Sequence, residues 1–495
     1  MYAVPSNSMQ YVFFLLLTTL FFYKVPHRLQ IYFLLVVSYC FYMMWNPYYA
    51  LVLIILTLIS FIGGLIVEKS GSKTRKWFCG LAIFVNIGTL VFFKYTGFLM
   101  ENLKTILGRL GVSFPENIYT IFVPVGISFY VFQSVGYLID VYRHKISAER
   151  NVINYALFIA FFPQIVSGPI NRAGTLLPQL KTLHRKPNPT QLCEGLKLIF
   201  TGYLQKIVFA DMFTIYIDAV YKDLKTWGGV TVLAAGILYS FQIYCDFAGY
   251  SNIAIGSARL LGIEIQENFN APYRAVSIRD FWNRWHISLS TWLRDYIYFP
   301  LGGGRCSFLR KNLNIFIVFL VSGIWHGAAW NYIIWGLLHG VARVVENILN
   351  IVQKRKLSKA VSRASTFAVV TVAWVFFRSP NIQTAMLFFQ RLFQEWSFTD
   401  FAAEYTEILK GTLMASPTLN IFYLGVIALG GVFLWVLDRF EDRYYASNGI
   451  NALFVAIPKR IRGAVYLLGG SLIIFCYLIQ NGIFGQIGQF IYFQF

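Results

Sequence analysis

Residues Phe319–Gly340 read FLVSGIWHGAAWNYIIWGLLHG, a run of apolar, small and aromatic residues with no formal charge and with His326 near its middle. A segment of this length and character reaches deep into a bilayer. An imidazole at that depth is costly and titrates near neutral pH, so His326 is either a functional group or a ring that packs and bonds a neighbouring carbonyl. His339 follows thirteen positions later, which on a single helix turns the two rings to roughly opposite faces and argues against a two-histidine metal site here.

The chain around this stretch has the same character. Of 495 residues, 57% are hydrophobic and 18% aromatic, and the mean hydropathy is +0.57. These values exclude an ordinary soluble domain. No sustained period-two alternation suggests a barrel, so the expected fold is an all-α polytopic membrane protein. The 42 Lys and Arg against 22 Asp and Glu give a net charge of +20. The basic residues sit in short runs between apolar segments, which points to cytoplasmic loops against anionic lipid and not to nucleic acid. Six scattered cysteines imply neither a disulfide framework nor a metal site. Signatures of P-loop ATPases, serine hydrolases and zincins are missing, as is a DxD-like pair.

The positive-inside rule orders the spans. Tyr11–Tyr23 precedes Lys24 and Arg28 and has no basic leader or cleavage site, so it is expected to be an uncleaved first span with its N-terminus outside. Ala156–Ile170 has basic flanks on both sides and is interrupted by Pro163, Gly168 and Pro169. It is expected to be re-entrant, tolerable only where protein surrounds its backbone. Asn314–Leu349 is expected to hold two tightly connected spans. The total is about 11 to 12 transmembrane helices plus re-entrant and interfacial pieces in a single integral domain over 1–495. Within it, 1–150 forms the N-terminal spans, 151–363 the core, and 364–495 the C-terminal spans with an outward tail.

Two further stretches carry candidate chemistry. Ser277–Pro300, SIRDFWNRWHISLSTWLRDYIYFP, separates at helical spacing into an apolar face and a polar stripe. Ile278, Phe281, Trp285, Leu289, Trp292 and Tyr296 make the face; Arg279, Asn283, His286, Ser290 and Arg294 make the stripe. It is expected to be an interfacial helix, serving either as an anchor or as the wall of a wet passage toward His326. In Gln242–Gly256, QIYCDFAGYSNIAIG, Asp246 lies inside an apolar span and must be paired or line water, with Arg or His of the interfacial helix as candidate partners.

These residues resemble a known family. FWNRWHISLSTWLRDYIYFPLGG at 281–303 and VSGIWHGAAWNYIIWGLLHG at 321–340 are similar to the two signature stretches of the membrane-bound O-acyltransferase (MBOAT) family. VGYLIDVYR at 135–143, FFPQIVSGPINR at 161–172 and the Asp246 stretch resemble its bacterial branch, which includes membrane subunits of alginate and peptidoglycan O-acetylation and of teichoic-acid D-alanylation. The resemblance implies helices around a central tunnel, with access routes from the two sides of the bilayer meeting at a catalytic His326. It sets His286 at the family's second functional position, which often holds Asn or His, and makes Asp246, Asn283, Trp325, Arg279 and Arg294 tunnel-lining or orienting residues.

It also implies the chemistry: an acyl group taken from a cytoplasmic thioester, most simply acetyl-CoA, and passed toward an envelope polysaccharide in the inner membrane of a bacterium, with no tightly bound cofactor and no metal. The donor would enter past the basic Arg259–Lys311 region. The closing FIYFQF offers Tyr492 either as an acyl relay to a periplasmic SGNH-type transferase or as an aromatic anchor at the interface. A transporter or flippase of an acyl or glycan carrier, with His326 as proton relay, is the alternative from another class.

Overall fold

The computed structural model describes residues 7–112, 122–183, 186–352, 358–410, 417–444 and 449–483. Tyr492 lies outside the described residues. Those described form helices and no strand, and nine of these helices are long and apolar enough to cross a membrane. A backbone in hydrocarbon must satisfy its own hydrogen bonds, and a helix does so within one segment. The polytopic all-α fold expected from composition is the fold observed.

The chain gathers into two compact units, residues 1–195 with 254–266, and residues 196–253 with 267–494. The first contains α1 (Met9–Lys24), α2 (Gln30–Met43), α3 (Pro47–Lys69), α4 (Ser72–Arg109), α5 (Ile127–Tyr142), α6 (Val152–Ala160), α7 (Phe162–Ile165) and α8 (Ala173–Lys181). The expected broken segment is α6 and α7, with the helix interrupted at Phe161 just before Pro163. Its freed backbone is answered by buried side chains. Ser38 Oγ accepts from Phe162 N at 3.1 Å, Gln164 Nε2 donates to Phe158 O at 2.6 Å, and Asn171 Nδ2 donates to Pro169 O at 3.0 Å. Residues 157–171 are all buried, which is the condition that irregular backbone in a membrane protein requires.

The second unit takes most of α9 (Pro189–Tyr203), a π-helical turn at Leu204–Ala210, α10 (Asp211–Lys222), most of α11 (Gly229–Leu260), α12 (Ile278–Arg284), α13 (Ile287–Leu293) and a second π-helical turn at Arg294–Tyr298. After these come α14 (Phe308–His326), α15 (Trp330–Val352), α16 (Lys359–Arg378), α17 (Ile382–Leu392), α18 (Phe398–Lys410), α19 (Pro417–Tyr444), α20 (Gly449–Ala456) and α21 (Lys459–Ile483).

The quoted stretch is the hairpin of α14 and α15, the two connected spans expected. Two glycines set its closeness. A Cβ on Gly323 would stand 2.4 Å from Tyr332 O, and one on Gly336 would stand 2.4 Å from Phe319 O. Only glycine lets these backbones touch, and close approach is how helices gain packing energy where the surroundings are as apolar as they are. Gly202 and Gly249 do the same for the α9 end and α11, where an added Cβ would lie 2.7 and 2.8 Å from the opposite carbonyl.

Ser277–Pro300 departs from expectation. It is two short helices and a π turn, not one helix, because the backbone at His286 is left-handed, with φ +43° and ψ +54°. Its apolar face was read correctly, and Phe281, Trp285, Leu289, Trp292 and Tyr296 are all buried, but against protein. Trp285 meets Trp374 of α16 at 5.0 Å and stacks on Phe281 at 5.5 Å.

Candidate functional site

His326 is the last residue of α14. The next residue, Gly327, is extended, and α15 restarts at Trp330, so the hairpin carries the imidazole on a helix end fixed by the Gly323 and Gly336 contact. The ring is 3% exposed. Trp335 stands edge-on to it at 4.8 Å, Trp325 at 4.9 Å and Phe377 of α16 at 5.4 Å. His286 approaches from the other side at 6.5 Å between ring centroids.

His286 is fully buried between α12 and α13. Serine at 277 caps α12 through the Asp280 N–H at 3.0 Å, and Trp285 N closes that helix on Phe281 O at 2.8 Å. The left-handed residue that follows breaks the helical phase. That break takes His286 off the stripe predicted for it and turns it inward, against Phe247 of α11 at 4.7 Å. Its Nδ1 lies 3.3 Å from Asn268 Oδ1. Burial pushes the His286 imidazole down to about 3, so it is neutral at ordinary pH.

The rest of the stripe lines a cleft of about 680 Å³. Arg279, Asn283, Ser290 and Arg294 form one wall together with Ile287; Lys311, Ser322 and Arg343 come from α14 and α15. Its lining includes four cationic side chains and no carboxylate. Neither histidine is part of the lining. The cleft instead reaches Ile287, the neighbour of His286, and Ser322, one helical turn before His326.

One expectation about pairing is corrected. Asp246, 2% exposed, pairs with Lys206 at 2.6 Å, where the sequence had pointed to Arg or His of the Ser277–Pro300 segment. Lys206 also holds Asp211 at 2.7 Å. Lysine 206 escaped the sequence reading because Asp211 is five residues on, out of register for an α-helix; the π turn aligns such positions. The turn's backbone is in turn supported by Gln480 Nε2, which donates to Ile207 O at 2.9 Å. His326 and His339 do not share a helix: His339 is on α15, its Nδ1 3.3 Å from Trp282 Nε1, and Trp335 stands between the two imidazoles, 5.0 Å from His339.

Asn268 and Ser288 were also missed. Asn268 lies in a loop, which carries no periodic signal, and Ser288 matters through its contact with Asn268, which periodicity does not report.

The arrangement gathers two buried imidazoles, an aromatic surround and a cationic cleft. A family model described as membrane-bound O-acyltransferase matches residues 143–379, which include both imidazoles, the aromatic surround and the cleft. Among curated relatives, the probable alginate O-acetylase AlgI of Pseudomonas aeruginosa is 36% identical over 396 residues, 79% of this chain and 75% of the relative. The peptidoglycan O-acetyltransferase of Helicobacter pylori is 33% identical over 383 residues, 71% and 72% of the two chains. The teichoic acid D-alanyltransferase of Bacillus subtilis is 30% identical over 274 residues, 53% of this chain and 68% of the relative.

Proposed function

Because the chain belongs to the membrane-bound O-acyltransferase family, we propose that it takes an acetyl group from a cytoplasmic acetyl-thioester and passes it across the membrane for O-acetylation of an envelope polysaccharide. The chain is a multi-pass inner-membrane O-acyltransferase of polysaccharide modification. Alginate and peptidoglycan are the polymers in the relatives' names, and either is a candidate acceptor here.

One observation carries the reading: His286 and His326, forty residues apart in sequence, are both buried and stand 6.5 Å apart next to a cleft lined by cations. His326 acts as the general base. It takes the proton of an acceptor hydroxyl as that oxygen attacks the thioester carbonyl; the tetrahedral intermediate then expels the thiolate, which recovers the proton. His286 assists from the second side. The cleft suits the anionic part of a thioester such as acetyl-CoA, and the basic Arg259–Lys311 region, cytoplasmic by the positive-inside rule, supports entry from that face. Arg279, Asn283 and Arg294 bind and orient the donor. Trp325 and Trp335 hold the His326 ring edge-on. Asp246 acts at a distance, through its pairing with Lys206.

Tyr492 is proposed as the outward relay. Its phenol oxygen accepts the acetyl group and hands it to a periplasmic SGNH-type transferase. The test is transfer from acetyl-CoA by purified protein in proteoliposomes, followed by thiol release. His326→Ala protein that inserts normally is expected to lose activity by roughly 10²- to 10⁴-fold. Wild-type rates in that variant would remove His326 from the mechanism, and polymer-carrier flux without thioester consumption would favour a transporter.

A further inference from the structure

The hydrogen bonds around Asn268 decide which nitrogen of His286 is available for chemistry. Asn268 is 1% exposed, in the loop that follows α11. The backbone of this loop pairs with the His286 turn: Ile287 N donates to Asn268 O and Asn270 N donates to Arg284 O, each at 3.0 Å. The side-chain amide is held at both ends. Oδ1 accepts from Ser288 Oγ at 2.6 Å and from Ser288 N at 3.4 Å, while Nδ2 donates to Ser251 Oγ of α11 at 3.1 Å.

A backbone N–H can only donate. Turning the amide over would set Nδ2 against the Ser288 N–H, so the oxygen is the atom on that side. The same oxygen faces His286 Nδ1 at 3.3 Å. A carbonyl oxygen can only accept, so Nδ1 carries the proton. A neutral imidazole carries one, which leaves Nε2 with its lone pair. The burial that keeps His286 neutral agrees with this assignment.

From these contacts we infer that Asn268 is a positioning residue, which fixes the His286 ring and its tautomer so that Nε2 is offered as a hydrogen-bond acceptor beside His326. The left-handed backbone at His286 fits the role. A non-glycine residue held there is strained and persists where its surroundings over-determine it, and the loop bonds to Ile287 and Arg284 bracket it. The consequence is a division of roles. An Nε2 lone pair can hold the acceptor hydroxyl or an N–H of His326, but it cannot steady an oxyanion. In its effect on rate, the inference rests on the functional reading above.

Protein labelled with ¹⁵N-histidine, with His286 assigned by difference from His286→Gln, is expected to show His286 Nδ1 protonated and Nε2 bare. Asn268→Leu is expected to mix or reverse that pattern and to lower kcat with acetyl-CoA about tenfold or more, with KM little changed. Asn268→Asp keeps an acceptor for the same three donors and is expected to retain the tautomer and more of kcat than the leucine variant. A protonated Nε2 in the wild-type spectrum overturns the inference, as does a leucine variant with unchanged tautomer and kcat. If the leucine variant does not fold, the wild-type spectrum and the aspartate variant decide. The spectrum reports the tautomer whether or not the protein turns over, so full activity in His326→Ala, which sinks the functional reading, is told apart from failure here.

Discussion

The imidazoles of His286 and His326 stand 6.5 Å apart, each at a helix boundary and neither on the other's helix. His326 ends α14 and His286 interrupts two short helices with a left-handed residue. A helix end fixes a side chain's position while leaving space beyond it that a continuing turn would fill. The pair therefore depends on how the α14 and α15 hairpin is set against the turn between α12 and α13, and that setting can be tested.

Glycine 323 fixes the hairpin. A methyl group there would lie 2.4 Å from Tyr332 O, so Gly323→Ala must push α14 and α15 apart. The expected cost is about 1–3 kcal/mol, read as a lower melting temperature in detergent. Activity is expected to fall further than stability alone explains, because His326 is three residues away. An alanine variant with unchanged melting and rate would show that the contact does not position the ring.

Lys206 is paired with two buried carboxylates, at 2.6 and 2.7 Å. Lys206→Met leaves Asp211 and Asp246 facing each other without a cation, and is expected to destabilise the protein by about 3–5 kcal/mol. Adding Asp211→Asn and Asp246→Asn removes the uncompensated charge and is expected to restore much of the loss. Equal melting of the single and triple variants would refute the electrostatic origin.

The neutral His286 predicts acid sensitivity. Its pKa in the fold, about 3, is below the unfolded value of about 6.5, so the unfolded chain binds the proton first. Its contribution is present above about pH 6.5 and is lost as pH falls toward 3. Between pH 7 and 5 the loss is about 2 kcal/mol. Melting curves of wild type and His286→Gln at the two pH values are expected to differ by that amount in their pH dependence; parallel curves would show that His286 is not held neutral.

Arg279 and Arg294 line the cleft from α12 and the π turn after α13. Replacing both with glutamine is expected to raise the KM for acetyl-CoA several-fold with kcat little changed, and the difference is expected to shrink in high salt as screening replaces the lost charge. A lower kcat at unchanged KM would assign these arginines to the reaction and not to donor binding.

The lessons of sequence and structure divide at the same residues. Composition, the apolar runs and the basic loops determined a helical polytopic protein, because hydropathy and the need to satisfy backbone groups act segment by segment. The apolar face of Ser277–Pro300, the broken segment around Pro163 and the candidacy of His326 were legible for the same local reason. The partners of these residues were not. A left-handed residue at His286 and a π turn at Leu204–Ala210 each shift the helical phase locally, which takes His286 off the polar stripe and brings Lys206 to Asp211.

Tertiary structure alone decided that Asp246 meets Lys206, that Asn268 holds His286, and that His326 and His339 flank Trp335 from different helices. These contacts join residues of different segments, and which segments come together is fixed by the packing of the whole unit and not by any one of them. The sequence by itself determined which groups are costly to bury; the fold determined what each was buried against.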